Sequence, residues 1–289
     1  MGIKEEIIDS FKAGSTLTKL IYINLGMFII IGLGSAILTL FNVSSAWTGF
    51  FMLPSQFSAL LLKPWSVITY MFLHLNFIHL LFNILMLYWF GNFFLQYYSQ
   101  KDLVGIYIIG GILGGALYMA AYSIFPYFDG RYGELTGASA AVMAIIVAIA
   151  ATAPERPIRL LFFGEVRLKW LAIASIVVSL LNVASENAGG NISHIGGALG
   201  GYLFVIGTRK GWDTTSWVNR VIDFFVNIFR RRAKMKVTYN RPKSDQEYNY
   251  NKKQEAENID RILDKIKKSG YESLSKEEKR QLFSASEKK

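Results

Sequence analysis

The sequence predicts an all-α protein that crosses a membrane several times, and three observations carry that prediction. Hydrophobic residues make up 52% of the 289 residues, and the mean hydropathy of +0.29 is too high for an ordinary soluble protein. Six apolar runs approach the roughly 20 residues that a bilayer-spanning helix needs. Basic charge gathers at one end, because residues 209–289 hold 21 of the 31 Lys and Arg side chains. We therefore expect a polytopic bundle of six transmembrane helices.

The six apolar runs follow one another closely, except for a long interruption after the first. That interruption, residues 41–75, is itself apolar but contains Pro54 and Pro64. Because proline breaks an α-helix, we expect an interfacial loop with short helical pieces there. The runs lie at about Leu17–Leu40, Asn76–Tyr97, Leu103–Phe125, Ser139–Ala153, Leu168–Ala184 and Ser193–Thr208.

Several runs are lined with small residues, which let helix backbones approach closely in lipid. The third run has five glycines between Gly105 and Gly115, and the sixth has four between Gly196 and Gly201. Because the pattern recurs in several runs of one chain, we expect packing within the molecule. Dimerisation through these faces is the alternative.

Lys and Arg indicate the orientation of the spans, because positively charged connections stay on the cytoplasmic side. The connection between the fourth and fifth runs carries Arg156, Arg159 and Arg167, and the tail is strongly basic. The connections on the other side carry only Lys63 and Arg131. Both termini are therefore predicted to be cytoplasmic.

The chain beyond the sixth run divides by composition. An apolar stripe from Trp217 to Phe229, followed by three arginines, is typical of a helix that lies on a membrane surface. Gly270 is a predicted helix C-cap, and Ser275 with Glu278 resembles a capping box. The predicted segments are a cytoplasmic N-terminal segment at 1–16 without a cleavable signal peptide, a six-helix membrane domain at 17–208, an amphipathic interfacial helix at 209–232, a polar linker at 233–253 and a small helical cytoplasmic tail at 254–289.

Composition also limits the chemistry. The chain has no cysteine, which excludes disulfides, thiolate metal sites and cysteine nucleophiles. Its only histidines are His74, His79 and His194. No cofactor is expected, and a metal site built from the three histidines is disfavoured by the lack of nearby carboxylates. The basic tail is expected to attract anionic lipid and not nucleic acid.

Polar residues cluster at one depth of the predicted bundle. The second, fourth and sixth runs all travel inward from the outer face. Ionisable and polar groups in a membrane are costly and usually mark function. Those at the outer ends of these three runs are His74, His79, Asn83, Ser139 and His194.

This set of residue types is suited to acyl transfer. A serine hydroxyl needs a base to accept its proton, and His194 is the candidate base for Ser139. The Ser139 N–H at a helix start, and Asn83 with His79 one turn apart, are candidate donors to a developing oxyanion. We find no acidic residue in the fourth or sixth run that would orient the imidazole.

Less specific interpretations exist for each residue. Ser139 alone is more typical of a helix N-cap. His194 and Asn83 also fit hydrogen bonds between helices. A transporter is a further alternative, although its polar groups are expected near the midplane of the membrane and often in internal repeats.

Together these motifs resemble the rhomboid family of intramembrane serine proteases, in its bacterial six-helix form with a C-terminal cytoplasmic extension. The resemblance covers about Leu17 to Thr208. It rests on Gly137-Ala138-Ser139, on His194-Ile195-Gly196-Gly197, and on His74, His79 and Asn83 at spacings of five and four.

The resemblance implies a role for each of these residues. Ser139 is then the nucleophile and His194 the general base and acid. Asn83, His79 and the Ser139 N–H form the oxyanion site, with His74 and Gly137 in support. The implied substrates are transmembrane or juxtamembrane segments of other proteins, cut in the bacterial cytoplasmic membrane at a site open to its outer side. A catalytically silent relative that binds membrane clients is the alternative.

Four positions depart from the family pattern. Ser66 follows Trp65 where the family has arginine. Ala140 follows the serine where glycine is common, and Ser193 precedes the histidine where alanine is common. Met143 stands where some members stack an aromatic ring on the histidine, so a thioether contact is expected to hold the imidazole instead.

Overall fold

The computed structural model describes residues 5, 10–11, 13–43, 45–160, 164–229 and 245–287. The chain is mostly helical and forms two compact units, Met1–Arg231 and Arg232–Lys289. Most of the predicted N-terminal segment lies outside the described residues. The main helices of the first unit are α1 (Thr16–Leu40), α2 (Phe77–Phe94), α3 (Gln100–Ile124), α4 (Ser139–Thr152), α5 (Leu168–Leu181), α6 (Ala188–Arg209) and α7 (Ser216–Phe229).

Three of these helices, α1, α2 and α3, are long and apolar enough to cross a membrane, judged over the described residues. Helices α4 and α5 are apolar but shorter, at 14 residues each. Helix α6 has 22 residues, but its first half includes Asn191, Ser193 and His194 and is only weakly apolar. A count of six spans stays a prediction.

Two helices begin earlier than the hydropathy pattern predicts. Helix α3 begins at Gln100 because Ser99 and Asp102 form a capping box. Helix α6 begins at Ala188, so Asn191 lies inside its first turn and is not its cap. The Asn191 amide instead donates to the carbonyl of Asn182, at 3.0 Å, and ties α6 to the end of α5.

Helix α4 lies at the centre of the first unit. Every residue from Ala140 to Ala150 is buried, mainly against α3 and α6. A methyl group at Gly114 of α3 would lie 2.5 Å from the Ala140 side chain, and one at Gly197 of α6 would overlap the Ala140 carbonyl. The expected packing of small residues within the molecule is therefore confirmed, because these backbones touch.

The described residues of the loop after α1 form short helical pieces, as predicted, and none of these pieces is long enough to span a membrane. They are a 3-10 turn at Ser45–Phe50, helices at Phe57–Leu62 and Ser66–Thr69, and a second 3-10 turn at Tyr70–Phe72.

This loop is fastened to the chain just before α4. Its strand β1 (Leu53–Pro54) pairs antiparallel with β2 (Glu134–Leu135). Lys63 forms an ion pair with Glu134 at 3.3 Å, which adds a second tie between the same segments. The loop thus holds the segment that leads into Ser139.

The structure adds short strands to the all-α prediction. Besides β1 and β2, strands β3 (Pro157–Leu160) and β4 (Gly164–Arg167) form a hairpin between α4 and α5. Hydropathy did not indicate this hairpin, because it is short, charged and largely exposed at the surface.

Helix α7 begins where the Asp213 carboxylate accepts the Ser216 N–H at 2.9 Å. Its outward residues include Trp217, Phe224 and Phe225, all exposed. The three arginines that follow lie outside the described residues, and the placement of α7 on a membrane surface stays a prediction.

The second unit is a pair of helices, α8 (Asp245–Ser269) and α9 (Lys276–Glu287). Gly270, at φ 76°, ends α8 and donates to the Ile266 carbonyl at 2.9 Å, which confirms the predicted cap. Ser275 and Glu278 form the predicted capping box at the start of α9.

The predicted linker of residues 233–253 is wrong at its second boundary, because α8 begins at Asp245. Residues 245–253 have no apolar stripe, but they also contain no glycine or proline, the two residues that disfavour a helix most strongly. Residues 233–244 lie outside the described residues.

Candidate active site

A cavity of about 750 Å³ opens where α2, α4 and α6 converge. Four predicted site residues line it: His79, Asn83, Ser139 and His194. The structure therefore brings together residues that are separated by up to 115 positions in the chain. Helix packing, and not sequence proximity, assembles the site.

Ser139 and His194 are in hydrogen-bond contact, with 2.8 Å between Ser139 Oγ and His194 Nε2. Ser139 is the first residue of α4, and the cap position is held by Ala138, which makes no side-chain cap. The N-cap interpretation of Ser139 is therefore wrong, since its hydroxyl faces the imidazole. The close contact of Gly197 with Ala140 brings the two helices near enough for this bond.

Gly137 shapes the approach to Ser139. Its φ of +112° favours glycine, and a β-carbon there would lie 2.6 Å from His79 Cε1. Its N–H donates to the Tyr70 carbonyl at 2.9 Å, so the loop after α1 holds this turn. Because α4 begins at Ser139, the Ser139 N–H belongs to a first turn whose amides have no partner within the helix.

His79 and Asn83 lie one turn apart on α2, as predicted. Asn76 caps this helix and accepts the His79 N–H at 3.2 Å. The Asn83 amide donates one hydrogen to the His79 carbonyl at 2.8 Å, which leaves its second hydrogen for another acceptor. Both side chains line the cavity.

His74 does not line the cavity, but it contacts two residues next to it, Ala138 and His79. It is 1% exposed, and its Nε2 accepts the Ala138 N–H at 3.4 Å. Its ring meets His79 edge-on, with 5.2 Å between centroids. Burial, reinforced by the neighbouring His79, lowers the pKa of His74 to about 4, so the ring is neutral and can accept this bond near pH 7.

The second ring nitrogen of His194 has a partner that the sequence did not indicate. Ser179 Oγ on α5 lies 3.2 Å from His194 Nδ1. Ser179 is 3% exposed. The sequence offered only a weak signal for it, because Ser179 is one of two serines in a mainly apolar run that holds no acidic residue.

Three tyrosines in the cavity wall were also missed: Tyr118, Tyr122 and Tyr132. The rings of Tyr118 and Tyr122 are 4.8 Å apart at the end of α3. A repeat of tyrosine at helical spacing was the available signal. These rings combine apolar faces with polar hydroxyl tips at the cavity wall.

Two of the four departures from the family pattern, Met143 and Ser66, lie in different parts of the first unit. Met143 lines the cavity one turn after Ser139, but the described hydrogen bonds of the His194 ring go to Ser139 and Ser179. The expected thioether contact stays a prediction. Ser66 is fully buried beside Trp65, whose indole N–H donates to the Phe50 carbonyl at 2.8 Å.

Within the described residues, no group of three or more His, Asp or Glu side chains is placed to hold a metal ion. The cavity brings together a serine hydroxyl, an imidazole and amide donors.

Comparison with known proteins gives two family matches. The model of a family described as the Rhomboid domain matches residues 62–211, which include every predicted site residue. A family of unknown function (DUF6576) matches residues 243–288. No curated protein matches the chain.

Proposed function

The chain belongs to the rhomboid family of membrane proteins, and from that premise we propose that it is an intramembrane serine endopeptidase. One observation carries the proposal: the 2.8 Å contact between Ser139 Oγ and His194 Nε2 at the wall of a cavity. The proposed substrates are transmembrane or juxtamembrane segments of other membrane proteins.

The reaction uses His194 twice. It first takes the Ser139 hydroxyl proton on Nε2 while Oγ attacks the scissile carbonyl carbon. As the tetrahedral intermediate collapses, Nε2 returns the proton to the leaving amine nitrogen. Water then attacks the acyl-enzyme with His194 again as base, which frees the new carboxylate and restores Ser139.

Negative charge develops on the former carbonyl oxygen of the substrate. The proposed donors are the Ser139 N–H, the second hydrogen of the Asn83 amide and His79, all at the same cavity. Gly137 and His74 hold the turn that presents the Ser139 N–H.

The proposed setting is the bacterial cytoplasmic membrane, with α1 to α6 as spans, both termini cytoplasmic and the cavity open to the outer side. The distribution of Lys and Arg supports this orientation. Water then reaches Ser139 from outside. A substrate helix must unwind locally before cleavage, because a helical peptide bond is shielded and hydrogen-bonded.

The test compares wild type with Ser139→Ala and His194→Ala on a single-span substrate in liposomes. We expect cleavage by wild type alone, and labelling of Ser139 by a fluorophosphonate probe. Equal cleavage by wild type and Ser139→Ala would refute the proposal. An inserted wild type that neither cleaves nor reacts would indicate the catalytically silent alternative.

A further inference from the structure

The imidazole of His194 is held at both nitrogens, by side chains from two different helices. Nε2 lies 2.8 Å from Ser139 Oγ on α4, and Nδ1 lies 3.2 Å from Ser179 Oγ on α5. The ring therefore cannot rotate without losing a contact.

The Ser179 hydroxyl has a second partner that fixes its direction. Its Oγ lies 2.9 Å from the Ser175 carbonyl oxygen, which can only accept. The single hydroxyl hydrogen of Ser179 therefore goes to Ser175, and Ser179 Oγ faces Nδ1 as an acceptor. Nδ1 must then carry the ring hydrogen, and Nε2 turns its lone pair to the Ser139 hydroxyl.

From this chain of hydrogen bonds we infer that Ser179 is a positioning residue of the proposed protease, which holds His194 in the Nδ1–H tautomer. It does what an orienting carboxylate does in a triad, but with a neutral group. This inference rests on the proposed function. Ser179 is not among the residues of the cavity wall, so it acts through His194 and not on substrate.

The arrangement also suits the charged state of the ring. When Nε2 takes the Ser139 proton, the imidazolium keeps its Nδ1–H bond to Ser179. The hydrogen bonds from Nδ1 to Ser179 and from Ser179 to Ser175 keep their directions. Ser179 is 3% exposed, so little water competes for Nδ1. The alignment of the base therefore depends on the position of α5 as well as on α4 and α6.

A serine that bonds the carbonyl four residues back is common in helices and by itself means little. Ser123 on α3 does the same, with its Oγ 2.9 Å from the Met119 carbonyl. Ser179 differs because a histidine nitrogen lies within reach of its remaining lone pair. Ser123 therefore supplies a matched control.

The kinetic test uses the full chain in detergent with wild type, Ser179→Ala, Ser179→Thr and Ser123→Ala. We expect Ser179→Ala to lower kcat roughly tenfold with KM within about twofold, because the lost bond acts on the base. Ser179→Thr retains a hydroxyl and should recover most of kcat. Ser123→Ala should match wild type. Unchanged kcat in Ser179→Ala would overturn the inference.

A spectroscopic test does not depend on activity. In protein with ¹⁵N-labelled histidine, the His194 resonances, assigned by their absence in His194→Gln, should show the Nδ1–H tautomer in wild type and a mixture in Ser179→Ala. An Nε2–H tautomer in wild type would overturn the inference, as would an unchanged tautomer in Ser179→Ala. If wild type fails to cleave or react with the fluorophosphonate, the proposed protease fails, and the tautomer still decides the role of Ser179.

Discussion

The centre of the first unit and the helix pair of the second are stabilised by different interactions. Around α4, backbones touch through glycine and alanine, and Ala140 to Ala150 are all buried. Between α8 and α9, only Ile262 and Leu274 are buried apolar residues among those described. Charged and capping contacts around Glu278 supplement them. Added side-chain volume should therefore disturb the first region most, and loss of charge should disturb the second.

The largest effect on folding stability is expected where a side chain is added to the α4–α6 contact. Gly197→Ala places a methyl group on the Ala140 carbonyl, and overpacking of this kind lowers the free energy of unfolding by about 2 kcal/mol. Gly26→Ala on α1 is the control, because a β-carbon there meets nothing within 4 Å. Unfolding of both variants in detergent checks this, and equal stability would refute the shape argument.

The next effect concerns shape at the cavity itself. Gly137→Ala combines a positive φ with a contact to His79, and we expect cleavage to fall about 100-fold through displacement of the proposed oxyanion donors. Gly130→Ala shares the positive φ, at 71°, but has open space around it. It should cost stability of about 1 kcal/mol and leave cleavage near wild type. A similar loss of cleavage in both variants would contradict the specific role of Gly137.

A charge effect is expected in the second unit. Hydrogen bonds from the Ser275 N–H and then from Lys265 lower the pKa of the Glu278 carboxyl to about 2. Since this pKa lies below its usual value of 4.5, the contribution of Glu278 is full above pH 4.5 and is lost as the pH falls through about 2. In the full chain, the chemical shift of the Ser275 amide should change with pH around this pKa. The change should be absent in Glu278→Gln. A midpoint near 4.5 in wild type would contradict the capping contact.

The smallest effect is expected from removing the second unit. A chain that ends at Ser244 lacks α8 and α9 but keeps every residue of the cavity. Its rate of cleavage in liposomes should equal that of the full chain. A correctly inserted truncation that is inactive would show that the two regions are coupled.

Local patterns predicted some features well because their cause is local. The cap at Gly270 and the capping box of Ser275 with Glu278 depend on residues within one turn, and the structure confirms both. Boundaries were less predictable, because hydropathy does not register polar or small residues that are nevertheless helical. For this reason the predicted starts of α6 and α8 were too late, since α6 begins at Ala188 and α8 at Asp245.

The sequence by itself determined which chemical groups this protein has and which apolar runs carry them. No cysteine, three histidines and a serine two residues after Gly137 limit the chemistry before any fold is known. Only the tertiary structure decided which groups meet. The 2.8 Å contact of Ser139 with His194 depends on backbones touching at Gly197, and the contact of Ser179 with Nδ1 depends on how α5 is rotated. Rotation and approach of helices follow from packing over the whole bundle, which no single run of residues contains.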